Sequence, residues 1–285
     1  MSYIIPLIAV ALYSLASALL SRSLAQQGPR FDQLAMSEGP GHPVSTHSIA
    51  GRGERRKKTL MLALAAAVLH GWVVYRQTGL PADLTLPLLT AIAATTLTVV
   101  LLHILLCLKQ PADYLGIAVY PLAAISLITS HAASGGIPIE GRGVQIHVFL
   151  SLVSYAMLAL AAAQAVLVSI QIHFLSRHKP GGFMRALPPL DSTEQLLYIL
   201  FSTGFGLLTL SLASGFFFLE DMFAQHLVHK TVLSCIAWGI FGILLFGRRQ
   251  FGWRGKKAVH WTLAGFATLV LAYFGSKVVL EVVLR

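Results

Sequence analysis

Eleven histidines in 285 residues are the side chains of this chain most able to do chemistry. Neutral imidazole is the commonest metal ligand and a frequent haem axial ligand. His226 and His229 form His-x-x-His, with Glu220 and Asp221 close by. In a helix both imidazoles would face one way and bind a metal. Zinc, however, takes three or four protein ligands, and no third has motif spacing. A haem takes one imidazole on each face of its ring, from different elements. His147 and His229 suit that need, because each opens a separate apolar stretch. His147, Ser151, Ser154 and Tyr155 also share one stripe at i, i+4, i+7 and i+8. The stripe is either a polar seam leading inward from the imidazole or a serine-rich face on which helices pack.

Other chemistries lack their residues. There is no phosphate-binding Gly-Lys-Ser/Thr loop, no dinucleotide fingerprint and no Gly-x-Ser-x-Gly elbow. Two cysteines exclude a disulfide framework and Cys-x-x-Cys chemistry, and Cys107 and Cys235 read as packing residues. Acids are almost absent from the apolar stretches, which argues against a proton relay. Gly204, Gly206 and Gly215 read as sites of close packing or bending.

The elements that must position these residues follow from composition. The chain is 56% hydrophobic and 11% charged, against about 25% charged in an ordinary soluble domain. Eight stretches approach the roughly 20 apolar residues a spanning helix needs. They are 3–21, 59–76, 86–108, 112–134, 146–174, 195–219, 230–247 and 260–282. Because lipid leaves no partner for open backbone groups, the expected fold is an all-α integral membrane protein, a bundle of eight transmembrane helices. The first stretch has no basic region before it and no clear cleavage site, so it reads as a retained helix.

The positive-inside rule sets the direction. With both termini outside, the inner loops carry sixteen of the 21 basic residues and six of the 11 acids. The outer side then balances, so the whole surplus of +10 is inside. The charge is therefore a topology signal, and no nucleic-acid partner is expected. In this frame His70, His131, His147, His226 and His229 lie toward the outer face. His103, His173, His178 and His260 lie toward the inner one. Residues 22–58 are rich in Gly, Pro and Ser and read as a mobile cytoplasmic loop ending in a basic anchor at Arg55–Lys58. Asp191 or Ser192 with Glu194 reads as a cap starting the sixth helix. Trp72 and Tyr75 read as outer interface anchors, and Trp253 and Trp261 as inner ones.

The stretch from His147 to Leu160 (HVFLSLVSYAMLAL) resembles the His-Val…Ser-Tyr-Ala helix of cytochrome c assembly proteins of the CcsA/ResC/HemX type. Residues 229–266 (HKTVLSCIAWGIFGILLFGRRQFGWRGKKAVHWTLAGF) and LAYFGSK at 271–277 resemble their last two helices. Within the family the chain is most like the YpjD-like inner-membrane proteins. The likeness runs from about 59 to 285. It divides the chain into a first helix with its basic loop, 1–58, and an assembly-like domain of seven helices, 59–285.

The resemblance implies a multi-pass inner-membrane protein that handles haem at the outer face, for delivery or chaperoning in cytochrome c biogenesis. His147 matches the histidine opening the family's ligand helix, and His229 precedes the Lys230 that matches the family's lysine. Both would serve as haem iron ligands. His70, at the end of an early helix, and His131 are second candidates for cofactor contact. Lipid, haem and other cytochrome c assembly proteins are the implied partners. The chain departs from the synthetases of the family in two ways. EDMFAQHLVHK (220–230) has no tryptophan, and 274–285 has no histidine. Enzyme activity is therefore not expected. The alternatives are a cofactor-free accessory or assembly subunit, and a component of metal-ion transport.

Overall fold

The computed structural model describes residues 4–37, 46–79, 85–133, 139–177, 186–218 and 228–275, with side chains described except at 26–37, 46–52, His229, 274 and 275. Among the described residues the chain is all helical and has no strand. The helices are α1 (Ile4–Ser37), α2 (Thr46–Thr78), α3 (Leu88–Lys109), α4 (Gly116–Thr129), α5 (Arg142–Ser176), α6 (Leu190–Phe218), α7 (Val228–Phe251) and α8 (Lys256–Val270). A π-helical turn, Leu271–Gly275, continues α8. Single 3₁₀ turns, Asp113–Leu115 and Ser130–Ala132, flank α4.

Among the described residues seven segments are long and apolar enough to cross a membrane. They are Ile4–Ala25, Gly53–Thr78, Leu88–Lys109, Asp113–Ala132, Arg142–Ser176, Leu190–Phe218 and Lys230–Phe251. Large apolar side chains such as Leu7, Met61, Leu108, Phe149 and Phe217 point outward, as lipid allows.

Two sub-bundles form. α1 packs on α2 and α4, and α3 on α2 and α4. In the other, α5 packs on α6 and α8, and α7 on α6 and α8. The α3–α5 contact joins them. Small buried residues line the contacts, including Ala9, Ala16, Ala63 and Ala66 in the first and Ala156, Ala161 and Ala165 on α5. Without a hydrophobic force between helices in lipid, such residues let backbones approach and gain van der Waals contact. α1 is thus part of the bundle, with Tyr13 fully buried in it.

Several boundaries differ from the sequence reading. α1 runs on to Ser37 and α2 begins at Thr46, so much of 22–58 is helix and not loop. Extending a formed helix costs far less than nucleating one, and Leu24, Ala25, Gln26 and Gln27 favour extension. α6 begins at Leu190, directly after Pro188-Pro189, which places Asp191 and Ser192 inside its first turn. Asp191 pairs with Arg254 at 2.7 Å instead, and Glu194 pairs with the same guanidinium at 3.4 Å. Both carboxylates also sit where the helix dipole favours negative charge. Cys107 is buried, but Cys235 is exposed, so only the first packs inside.

At the basic end, Arg56 of α2 pairs with Asp113 at 2.9 Å. Its guanidinium also donates to the carbonyls of Cys107 and Gln110 at the end of α3. A cation there satisfies carbonyls that the helix leaves open. Of the tryptophans read as anchors, Trp253 and Trp261 are partly buried against the core. Trp72 is exposed beside Tyr75, and Trp253 packs near Trp261 with ring centroids 5.8 Å apart.

Candidate functional site at the start of α5

α5 has 35 residues, roughly 52 Å at 1.5 Å per residue. That exceeds a hydrocarbon core of about 30 Å. His147 sits in the second turn, half-buried. Its Nδ1 lies 2.9 Å from the Ser211 carbonyl oxygen and 3.1 Å from Ser214 Oγ. A carbonyl only accepts, so Nδ1 carries the proton and donates. The lone pair is therefore on Nε2. Ser151 Oγ is 3.5 Å from Nε2, but its hydroxyl donates to the His147 carbonyl at 2.8 Å. A carbonyl that fixes one nitrogen in this way leaves the other able to bind a metal.

The rest of the stripe points into the α5–α6 interface. Ser151 meets Ser211 at 2.7 Å. Ser154, fully buried, donates to the Gly204 carbonyl at 3.2 Å. Gly204 permits this approach, because a Cβ there would stand 2.7 Å from Leu158 Cδ2. Gly206 faces open space, so only the first of the two serves packing. Tyr155 donates to the Leu269 carbonyl of α8 at 2.8 Å, and its ring lies 5.6 Å from that of Tyr273 in the π turn. The stripe is therefore a packing face through most of its length and a half-buried imidazole at its N-terminal end. Ser211 and Ser214 were not singled out in the sequence. Their only signal there is a spacing that puts two hydroxyls on one face of α6.

The other candidates fall elsewhere. His70 is fully buried in the α1–α4 sub-bundle, with Nδ1 3.3 Å from the Tyr13 hydroxyl. Among the described residues no hydrogen bond or ring contact joins it to His147. His131 occupies the turn after α4 and donates from Nδ1 to the Leu127 carbonyl at 3.1 Å. His229 lies in the first turn of α7, but its side chain is outside the described residues, as is His226. His103 is buried near the C-terminal end of α3, and His173 and His260 are exposed. Among the described residues no three His, Cys, Asp or Glu side chains gather as a metal site.

Length, helix content and spans define a polytopic α-helical membrane protein, and one imidazole is held as a ligand would be. Over residues 60–284 the chain matches the family model described as cytochrome C assembly protein, and it belongs to that family. It is 38% identical over 141 residues to "Inner membrane protein YpjD" of Escherichia coli (strain K12), covering 50% of this chain and 53% of that one. It is 31% identical over 152 residues to an "Uncharacterized 28.8 kDa protein" of Azospirillum brasilense, covering 53% and 55%. To "Protein HemX" of Bacillus subtilis (strain 168) it is 27% identical over 133 residues, covering 45% and 48%. The chain thus spans about half the length of the curated relatives it matches. No solved structure matches.

Proposed function

We propose that this chain is a haem-handling protein of the inner membrane that binds haem at the outer face and passes it toward cytochrome c assembly. The observation that carries the reading is His147, whose Nδ1–H is committed to the Ser211 carbonyl while Nε2 keeps its lone pair at the helix rim. The donor chemistry fits haem iron, which takes neutral imidazole. His147 would hold the iron from α5 and His229 from α7. Bound haem would supply an iron centre that accepts imidazole nitrogen and a broad apolar ring. Exposed Phe216, Phe217 and Phe218 end α6 just beyond Ser214 and supply apolar surface for such a ring. His70 and His131, already bonded within their own sub-bundle, are left out of the ligand set.

The membrane arrangement belongs to the same reading. α8 with its π turn is the eighth span, both termini are periplasmic, and the basic ends of α2, α7 and α8 face the cytoplasm. Residues 1–58 form an N-terminal addition to the assembly-type domain 59–285. Other cytochrome c assembly proteins and lipid are its partners, and the chain makes no covalent haem bond alone.

The test is spectroscopic. Full-length protein purified from haem-replete cells is expected to show a Soret band that haemin titration saturates. His147→Ala and His229→Ala are each expected to shift and weaken it. An unchanged titration in the double variant, or no band in the parent protein, refutes the proposal. A second reading, a cofactor-free assembly subunit, draws on the serines that bond His147 into the α5–α6 interface. It predicts altered stability in these variants with no spectrum to lose.

A further inference from the structure

A column of polar side chains crosses the α1–α4 sub-bundle, well apart from His147. At its outer end Gln77 bonds Ser130 at 3.2 Å and accepts from Thr90 at 3.4 Å. One turn deeper Thr96 and Ser126 meet across α3 and α4. Next come His70 and Tyr13, then Tyr120, whose ring stacks 6.0 Å from that of Tyr13. His103 packs edge-on to Tyr120 at 5.4 Å. Its Nε2 meets the Ala112 carbonyl at 3.2 Å and Cys107 Sγ at 3.4 Å. Arg56 and Asp113 close the inner end. From Thr90 to Cys107 α3 rises roughly 26 Å, close to the hydrocarbon thickness of about 30 Å.

Three polar atoms of this column lack a hydrogen-bond partner although fully buried: His70 Nε2, Tyr120 OH and His103 Nδ1. Buried polar groups are almost always satisfied, by protein or by internal water. The lone pair of His103 is on Nδ1, because its Nε2–H donates to the Ala112 carbonyl. His70 is also two-sided, with the Tyr13 hydroxyl on Nδ1 and no hydrogen-bond partner on Nε2. Gly116 makes room for the rings. A Cβ there would stand 2.9 Å from Tyr120 Cε2 and 3.1 Å from His103 Cε1.

We propose that this column is a water-linked proton path across the membrane, in which His70, Tyr13, Tyr120 and His103 relay protons between the Gln77 end and Asp113. Each imidazole takes a proton on one nitrogen and releases one from the other. Each phenol accepts and donates at its single oxygen, and water spans the gaps between rings. Every proton entering one end releases one at the other, each transfer leaves the imidazoles in their other tautomer and the phenol O–H bonds turned, and ring flips and O–H rotations restore the starting state before the next proton. Carboxylates, whose scarcity in the spans argued against a relay, are not required, because imidazole and hydroxyl both donate and accept.

The test uses the full chain in liposomes enclosing a pH-sensitive dye, with a potassium diffusion potential driving proton entry. Acidification several-fold faster than in protein-free vesicles is expected, slower in D₂O. Tyr120→Phe keeps the ring and removes the hydroxyl. It and His103→Gln are expected to return the rate to that of empty vesicles. Cys235→Ser, on the exposed face of α7, is expected to leave it unchanged. Wild-type vesicles no more permeable than empty ones overturn the proposal whatever the variants do. Equal rates in wild type and a folded Tyr120→Phe or His103→Gln overturn it too.

Discussion

The imidazole of His147 and those of His70 and His103 meet opposite surroundings. His147 stands half-buried in the second turn of a long helix, with one nitrogen fixed by a carbonyl of α6 and the other presented. His70 and His103 are fully buried in the first sub-bundle, among Tyr13, Tyr120 and Cys107. One residue type thus serves two ends. At a helix rim it suits a ligand from outside. Inside a bundle it gives the core a polar group that can carry hydrogen bonds on two sides.

The largest expected effect breaks or upholds that contrast directly. His147→Ala should abolish most haemin binding, and His70→Ala should leave it nearly intact while lowering the unfolding temperature. Haemin titration followed at the Soret band, with thermal unfolding of the same samples in detergent, separates the two. Loss of binding in His70→Ala with full binding in His147→Ala would reverse the assignment of the two sub-bundles.

The second prediction concerns how α6 is held against α5. Gly204→Ala drives a Cβ into Leu158 and should cost about 1–3 kcal/mol, the usual penalty for overpacking. Gly206→Ala meets nothing within 4 Å and should be neutral or stabilising by up to about 1 kcal/mol, the helix propensity gap. Thermal unfolding of the pair checks it. Because Ser211 and Ser214 lie on the same helix, Gly204→Ala should also weaken haemin binding, and Gly206→Ala should not.

A third prediction moves to the C-terminal half of α5 in the same interface. Gln164 is fully buried, donating to the Thr193 carbonyl at 2.9 Å and accepting from Tyr114 at 3.3 Å. Gln164→Leu strands both partners and should cost roughly 1–3 kcal/mol, the desolvation cost of unmet groups. Haemin affinity should stay as in wild type, since the change lies far along α5 from His147. A spectrum altered as much as by Gly204→Ala would mean that α5 transmits distortion over its length.

Much of this was legible in the amino-acid sequence, for identifiable reasons. Apolar runs such as 86–108 report lipid directly, so the helices emerge close to their expected places. The stripe at 147, 151, 154 and 155 followed from helical periodicity, which is local. What packs against it was not legible. Ser211, Ser214 and Leu269 lie 64 or more positions from His147, and no periodicity within α5 specifies which helix lies opposite. The row of His70, Tyr13, Tyr120 and His103 was hidden for the same reason, since it draws single residues from four helices. The extension of α1 past residue 22 is not legible in the sequence, because polar composition suggests a loop, whereas a helix already nucleated continues at low cost.

The smallest expected effect tests whether the third contact of the α5 stripe matters as the first two do. Tyr155 spans from α5 to α8, where its hydroxyl donates to the Leu269 carbonyl just before the π turn. Tyr155→Phe removes that donor and keeps the ring packed near Tyr273. The loss should be about 1 kcal/mol, the net value of one hydrogen bond, read as a small drop in unfolding temperature. Haemin binding should change little, because His147 is held by α6 and not by α8. If Tyr155→Phe instead weakens binding as strongly as Gly204→Ala, the position of α8 is part of the site, and the contrast between the sub-bundles must be redrawn around three helices.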